Sequence, residues 1–120
     1  MRALVVALIV AATPATAECT GRTTSGGFHV AQNDTSNVYI TGQRGDVCRG
    51  RLRSYSSLQI ERVSVVSPAR NGNASVAQSG AITYMPKPGF AGSDGFTLQV
   101  CGKSDAGSGC STIHYHVTIN

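Results

Sequence analysis

Two segments near the end of the chain alternate strictly between apolar and polar residues. In the first, Phe96, Leu98 and Val100 alternate with polar neighbours, and the second follows the same rule over residues 112–119. A period of two predicts strands that bury one face. The polar residues 102–109 between them, rich in Gly and Ser, predict a flexible loop that joins the two strands as a hairpin.

Cysteines at the inner ends of these segments indicate how the strands pair. If Cys101 faces Cys110, Phe96 lies opposite Tyr115, and the same register places Leu98 opposite Ile113 and Thr97 opposite His114. Apolar residues then face apolar ones, and a slip of one residue would destroy the match. Both cysteines stand at positions of their strands that point away from the predicted core.

The chain has four cysteines, an even number that indicates a disulfide framework in a short exported protein. Four cysteines allow three connectivities, and the hairpin register selects one of them. We therefore predict the pairs Cys101–Cys110 and Cys19–Cys48. The second pair would tether residues 18–27, a polar and Gly-rich stretch that we expect to form an irregular N-terminal arm.

The first 17 residues have the pattern of a secretory signal peptide. A basic start is followed by an apolar run over residues 3–12 and by Ala15-Thr16-Ala17, an A-x-A cleavage site. Glu18 rather than a small residue precedes Cys19, so we expect cleavage after Ala17 and no lipid anchor. The apolar run over residues 3–12 is shorter than the roughly 20 residues that span a bilayer, and no other stretch is long and apolar enough. The prediction is a periplasmic or secreted protein without a transmembrane segment.

Residues 28–120 are expected to form a single all-β domain, an antiparallel sandwich. Ser, Thr, Val and Gly are abundant and no helical period follows the signal, so strands and turns are favoured over helices. We expect a first strand at residues 28–32, a turn at 33–37, and a hairpin formed by residues 74–78 and 81–85. Ile60 and Val63 differ in parity, which predicts a bulge near Glu61 and Arg62.

The stretch from Ile82 to Val100 reads ITYMPKPGFAGSDGFTLQV. It resembles the C-terminal half of bacterial Ig-like, cadherin-like domains, which carry Tyr-x-Pro, Gly-Phe-x-Gly-x-Asp-x-Phe and a closing Val-rich strand. The resemblance covers residues 58–120 and implies an Ig-like β-sandwich. It also raises the possibility that Asp94 binds calcium, as in some cadherin-like repeats. The alternative is that Asp94 accepts backbone N–H bonds at a tight bend, and the few scattered acids favour this alternative.

Three alternating arginines form what we call the arginine stripe: Arg49, Arg51 and Arg53. On a strand they would share one face, and we expect Arg44 and Arg62 nearby. One interpretation is a solvated face that protects a sheet edge from aggregation. The other is an anion-binding site, because guanidinium groups bind planar anions in a bidentate manner. The partner would then be a protein or an anionic cell-envelope surface, and we expect no nucleic acid because basic and aromatic residues are not interleaved.

His114 and His116 share the outward face of the last strand, and with His29 they are weak candidates for metal ligands. Two exposed imidazoles without a metal are the favoured interpretation, and no cofactor is expected. No nucleophile stands in a recognisable catalytic motif, so the protein is predicted not to be an enzyme. The sequence favours an exported, non-catalytic binding or adhesion-type module. The alternative is a small secreted inhibitor that presents a disulfide-braced loop to an enzyme.

Overall fold

The computed structural model of the protein describes residues 19–23 and 27–120. The predicted signal peptide, residues 1–17, and the predicted mature start at Glu18 lie outside these residues. A short 3-10 helix, Val30–Gln32, and eight strands make up the described part: β1 Thr20–Thr23, β2 Thr35–Gly42, β3 Cys48–Arg51, β4 Gln59–Ser67, β5 Gly72–Val76, β6 Ala81–Pro86, β7 Gly92–Ser104 and β8 Gly107–Ile119. Within it, no helix has the length and apolar character needed to cross a membrane.

The strands form two sheets that pack face to face as an Ig-like β-sandwich. One sheet has five strands in the order β1-β2-β8-β7-β4, and the other has three in the order β3-β6-β5. Neighbouring strands are antiparallel with one exception, since β2 runs parallel to β8. The predicted all-β sandwich is therefore confirmed, with one parallel pair at the centre of its larger sheet.

The β7–β8 hairpin has the register that the alternating pattern predicts. Phe96 pairs with Tyr115, Leu98 with Ile113, and Cys101 with Cys110. Core-facing side chains of the two strands are almost fully buried, with Leu98 and Val100 at 0% exposure. Cys101 and Cys110 are joined by what we call the hairpin disulfide, and Cys19 and Cys48 by the arm disulfide.

The predicted flexible loop at residues 102–109 is wrong. The two strands continue past the hairpin disulfide, pairing Gly102 with Gly109 and Ser104 with Gly107, so that only two residues remain in the turn. Gly102 and Gly109 are needed because the backbone of other segments lies close to them, and not because the loop must be mobile. A Cβ atom at Gly102 would collide with the backbone of Gln59, and one at Gly109 with the carbonyl oxygen of Val30.

Strand β4 contains the predicted bulge. Ile60 pairs with Gly102 and Arg62 with Cys101, which leaves Glu61 as the extra residue. The shift allows Ile60 and Val63, of opposite parity, to pack against the same core. The predicted hairpin around Ser79-Gly80 is also present, as β5 and β6.

The N-terminal third differs most from the sequence expectations. Residues 20–23, expected to be irregular, form β1 and pair with β2. The expected strand at residues 28–32 is instead an isolated bridge at Phe28 followed by the 3-10 helix. That helix ends at Asn33, which is left-handed at φ 49°, and β2 begins at Thr35 inside the expected turn. Asp34 stabilises this path because its carboxylate accepts hydrogen bonds from His29 N and Ser111 Oγ.

Aromatic rings fill the centre of a core that has no tryptophan. Phe96 stacks between Tyr84 and Tyr115, with ring centroids 5.8 and 4.6 Å away. Phe28, before the 3-10 helix, is 2% exposed and belongs to the same cluster. Phe90 packs against this cluster from the bend before β7 and is only partly buried. The aromatic cluster therefore joins the two sheets to the N-terminal segment.

Candidate functional site

The arginine stripe lies at an edge of the smaller sheet. Arg49 and Arg51 belong to β3, Arg53 follows two residues after its end, and all three are exposed. Strand β3 pairs with β6 on one side, and on its other side it pairs with no strand of the described part. This position suits both interpretations of the stripe, edge protection and anion binding. Arg62 is elsewhere, on the outer face of the larger sheet, where Nη2 lies 3.9 Å from Sγ of Cys110.

A cleft of about 630 Å³ opens beside the stripe, between the two sheets. Its lining is shared between β2, β3, β6 and the aromatic cluster. The lining includes Val38, Ile40, Arg49, Arg51, Arg53 and Ile82. Because the three arginines are exposed while the deeper walls are buried, the guanidinium-bearing chains lie at the opening. No local pattern in the sequence indicates this cleft, since the cleft depends on which strands face each other.

Both ends of the cleft are closed by covalent or hydrogen bonds. At the start of β3, the arm disulfide joins Cys48 to Cys19, and both residues line the cleft. Beyond the end of β3, the backbone N of Phe28 donates to Arg53 O, and Tyr55 N donates to Phe28 O. The opening is therefore a window along β3 and not a channel that runs past it.

The mismatch in strand number explains why the cleft exists. Val38 and Ile40 have the inward parity of β2 yet stay half-buried, whereas Val117 and Ile119 of the neighbouring β8 are at most 2% exposed. A five-stranded sheet presents more inner surface than three strands can cover. The uncovered part lies next to β3 and its arginines.

The carboxylate of Asp94 is held by hydrogen bonds from the protein itself. Its carboxylate accepts hydrogen bonds from the backbone N of Arg70, Asn71 and Gly95 and from the hydroxyl of Tyr84, at 2.7–2.9 Å. Partial burial acts to raise the pKa of Asp94, but these four donors outweigh it and hold the pKa below its ordinary value. Burial, and secondarily Asp94 itself, raises the pKa of Tyr84. The donors occupy both oxygens, as expected for a carboxylate that organises a bend.

The candidate metal-ligating histidines bind their neighbours. Nδ1 of His114 lies 3.0 Å from Oγ1 of Thr97, and Nε2 of His116 lies 2.9 Å from Oδ1 of Asn37. His29 is stacked on Tyr55 near the 3-10 helix. Among the residues that the structure describes, no group of three or more His, Cys, Asp or Glu side chains is arranged to hold a metal.

The hairpin disulfide does not brace a long loop. A long exposed loop held by a cystine would have favoured the inhibitor, but β7 and β8 pair up to the two-residue turn beyond Cys101 and Cys110. The long disulfide-braced loop that would support the inhibitor hypothesis is therefore absent between Cys101 and Cys110.

Two facing sheets with a parallel pair between β2 and β8 define the class of an Ig-like sandwich module. A family model described as bacterial Ig domain matches residues 7–118, and the chain therefore belongs to that family. Domains of this family are generally non-enzymatic modules. No sequence among curated proteins matches this chain with significance. Two disulfides in a bacterial Ig domain are consistent with a location outside the cytoplasm.

Proposed function

We propose that this protein is an exported, non-catalytic binding module that attaches to an anionic surface of the cell envelope through the arginine stripe. The observation that carries the proposal is the placement of three exposed arginines along one edge of the sandwich. Among the described residues, no carboxylate lies within ion-pair distance of Arg51 or Arg53. Their charge is thus directed to solvent and to any anion that approaches.

Export is supported by two observations. The signal-peptide pattern over residues 1–17 directs the chain out of the cytoplasm, and the two disulfides suit an oxidising compartment. Removing Arg2 with the signal lowers the formal net charge from +4 to +3. A mildly basic domain of this kind favours anionic partners.

The test replaces Arg49, Arg51 and Arg53 by serine together and measures binding to vesicles. Vesicles that contain both phosphatidylcholine and the anionic lipid phosphatidylglycerol are compared with vesicles of pure phosphatidylcholine over a salt series. Each arginine near an anionic surface contributes about 1 kcal/mol, so the triple variant should bind up to about 150-fold more weakly at low salt. Its salt dependence should also be flatter, because fewer charges are screened.

A matched control keeps the change in net charge but moves it elsewhere. Arg44, Arg70 and Lys87 are exposed and do not line the cleft, so their triple serine variant has the same net charge as the stripe variant. We expect it to retain most of the binding. Equal losses in the two variants would mean that net charge alone drives attachment, and the stripe would then be only a solvated edge.

A further inference from the structure

The cleft combines apolar walls with a cationic opening. Val38, Ile40 and Ile82 contribute hydrocarbon surface, and the aromatic rings of Tyr84 and Phe96 lie deeper. Its volume of about 630 Å³ falls within the range of about 300–1,000 Å³ found for small-molecule sites. An apolar interior with charge of one sign at the entrance fits a molecule that has a hydrocarbon tail and a head of opposite charge.

We propose that the cleft binds an alkyl carboxylate, a fatty-acid anion, with its tail between the sheets and its carboxylate at Arg51 and Arg53. This inference rests on the proposed function, since it uses the same arginines, and it adds the chemical class of the ligand. The guanidinium group suits the head because it donates two parallel hydrogen bonds to a carboxylate. Burial of the tail covers the apolar surface of Val38 and Ile40 that the smaller sheet leaves half-exposed.

The closed ends of the cleft favour an alkyl chain over a peptide strand. A peptide longer than the four residues of β3 that extended the sheet there would run past both ends of that strand. The arm disulfide obstructs one end, and the hydrogen bond from Phe28 N to Arg53 O obstructs the other. A hydrocarbon tail enters sideways through the window and needs no hydrogen-bond partners inside, so the same geometry admits it.

The first experiment varies the length of the ligand. The mature protein is titrated by calorimetry with the sodium salts of hexanoate, octanoate and decanoate, at concentrations where they do not form micelles. If the tail is buried, affinity rises by about fourfold for each added methylene, the factor that corresponds to about 0.8 kcal/mol. Affinity that does not change with chain length would overturn the proposal. Nonyltrimethylammonium, which has the same nine-carbon tail and the opposite charge, should bind at least tenfold more weakly than decanoate.

The second experiment fills the cleft. Val38→Phe adds bulk to the wall, and we expect at least a tenfold loss of decanoate affinity. Val66→Phe is the matched control, because Val66 is exposed and does not line the cleft, and it should bind decanoate as the parent does. Unchanged binding by folded Val38→Phe would refute the site.

A measurement on the unmodified protein covers the case in which Val38→Phe does not fold. Methyl resonances of Val38, Ile40 and Ile82 should shift on addition of decanoate, whereas those of Val66 should not. Shifts confined to surface methyl groups would contradict the proposal. The vesicle experiment tests the proposed function independently of these measurements. If vesicle binding still depends on the arginine stripe but the affinity for carboxylates does not rise with chain length, the fatty-acid site is wrong and attachment to an anionic surface stands.

Discussion

Replacing Asp94 by asparagine should destabilise the domain by about 2–3 kcal/mol at pH 7. The carboxylate accepts four hydrogen bonds, two at each oxygen, and a hydrogen bond to a charged acceptor contributes about 1.5–3 kcal/mol. Asparagine keeps one oxygen, but its NH₂ group then faces the backbone N–H of Asn71 or of Arg70. Tyr84 can reorient its hydroxyl and water can reach the half-buried site, which limits the loss to about the value of one or two such bonds.

The pH dependence of this difference has a definite sign. Because the folded-state pKa of Asp94 lies below its ordinary value, its stabilising effect is complete above about pH 4, the pKa of an unfolded aspartate, and disappears as the pH falls through the folded-state pKa. The stability gap between the parent and Asp94→Asn should therefore shrink in acid. A carboxyl group that carries a proton offers much the same acceptors as an amide.

Urea unfolding followed by far-UV circular dichroism at pH 7 and pH 2.5 measures both effects. Glu61→Gln is the control, since this exposed carboxylate forms a single ion pair with Lys103 at 3.6 Å and should contribute less than about 1 kcal/mol. A loss below about 0.5 kcal/mol for Asp94→Asn at pH 7, or a gap that is the same at both pH values, would show that the four contacts do not stabilise the bend.

Two further predictions concern the disulfides and the buried tyrosines. Replacing both cysteines of the arm disulfide by serine should lower the free energy of unfolding by about 1 kcal/mol more than the same change in the hairpin disulfide. The reason is that the loss of chain entropy in the unfolded state stabilises by about 3.6 kcal/mol for a loop of about 30 residues and by about 2.7 kcal/mol for one of about 10. Equal melting temperatures of the two variants would contradict this. Above about pH 10 the domain should lose stability, because burial raises the folded-state pKa of Tyr84 and Tyr115 and keeps them protonated while the unfolded chain ionises. An absorbance titration in which all four tyrosines ionise near pH 10 without unfolding would exclude it.

The C-terminal half of the fold was predictable because each local signal agreed with the others. The alternation around Phe96 and Tyr115, together with the positions of Cys101 and Cys110, allows a single register for the final hairpin. In a half-buried strand every second residue is apolar, so the sequence shows which side chains face the core. The change of parity between Ile60 and Val63 predicted the bulge in β4, but it did not predict that β4 pairs with β7.

The N-terminal third could not be derived in this way. Strand β1 has few apolar residues, and β2 begins inside a run of turn-forming residues because its pairing partner is the distant β8. The glycines at 102 and 109 looked like loop residues because the backbone atoms that require them come from other elements. Sequence identified the arginine stripe, but the cleft beside it results from the difference in strand number between the sheets, which no local pattern contains.

The parallel pairing of β2 with β8 also determines when this domain can fold. A strand that starts at Thr35 completes its ladder only with residues 112–119, so the larger sheet cannot assemble around its centre until the last strand is available. Contacts between such distant segments require closure of a long loop and slow the folding of a domain. A chain synthesised from its N-terminus therefore cannot complete the larger sheet until its last strand has been made.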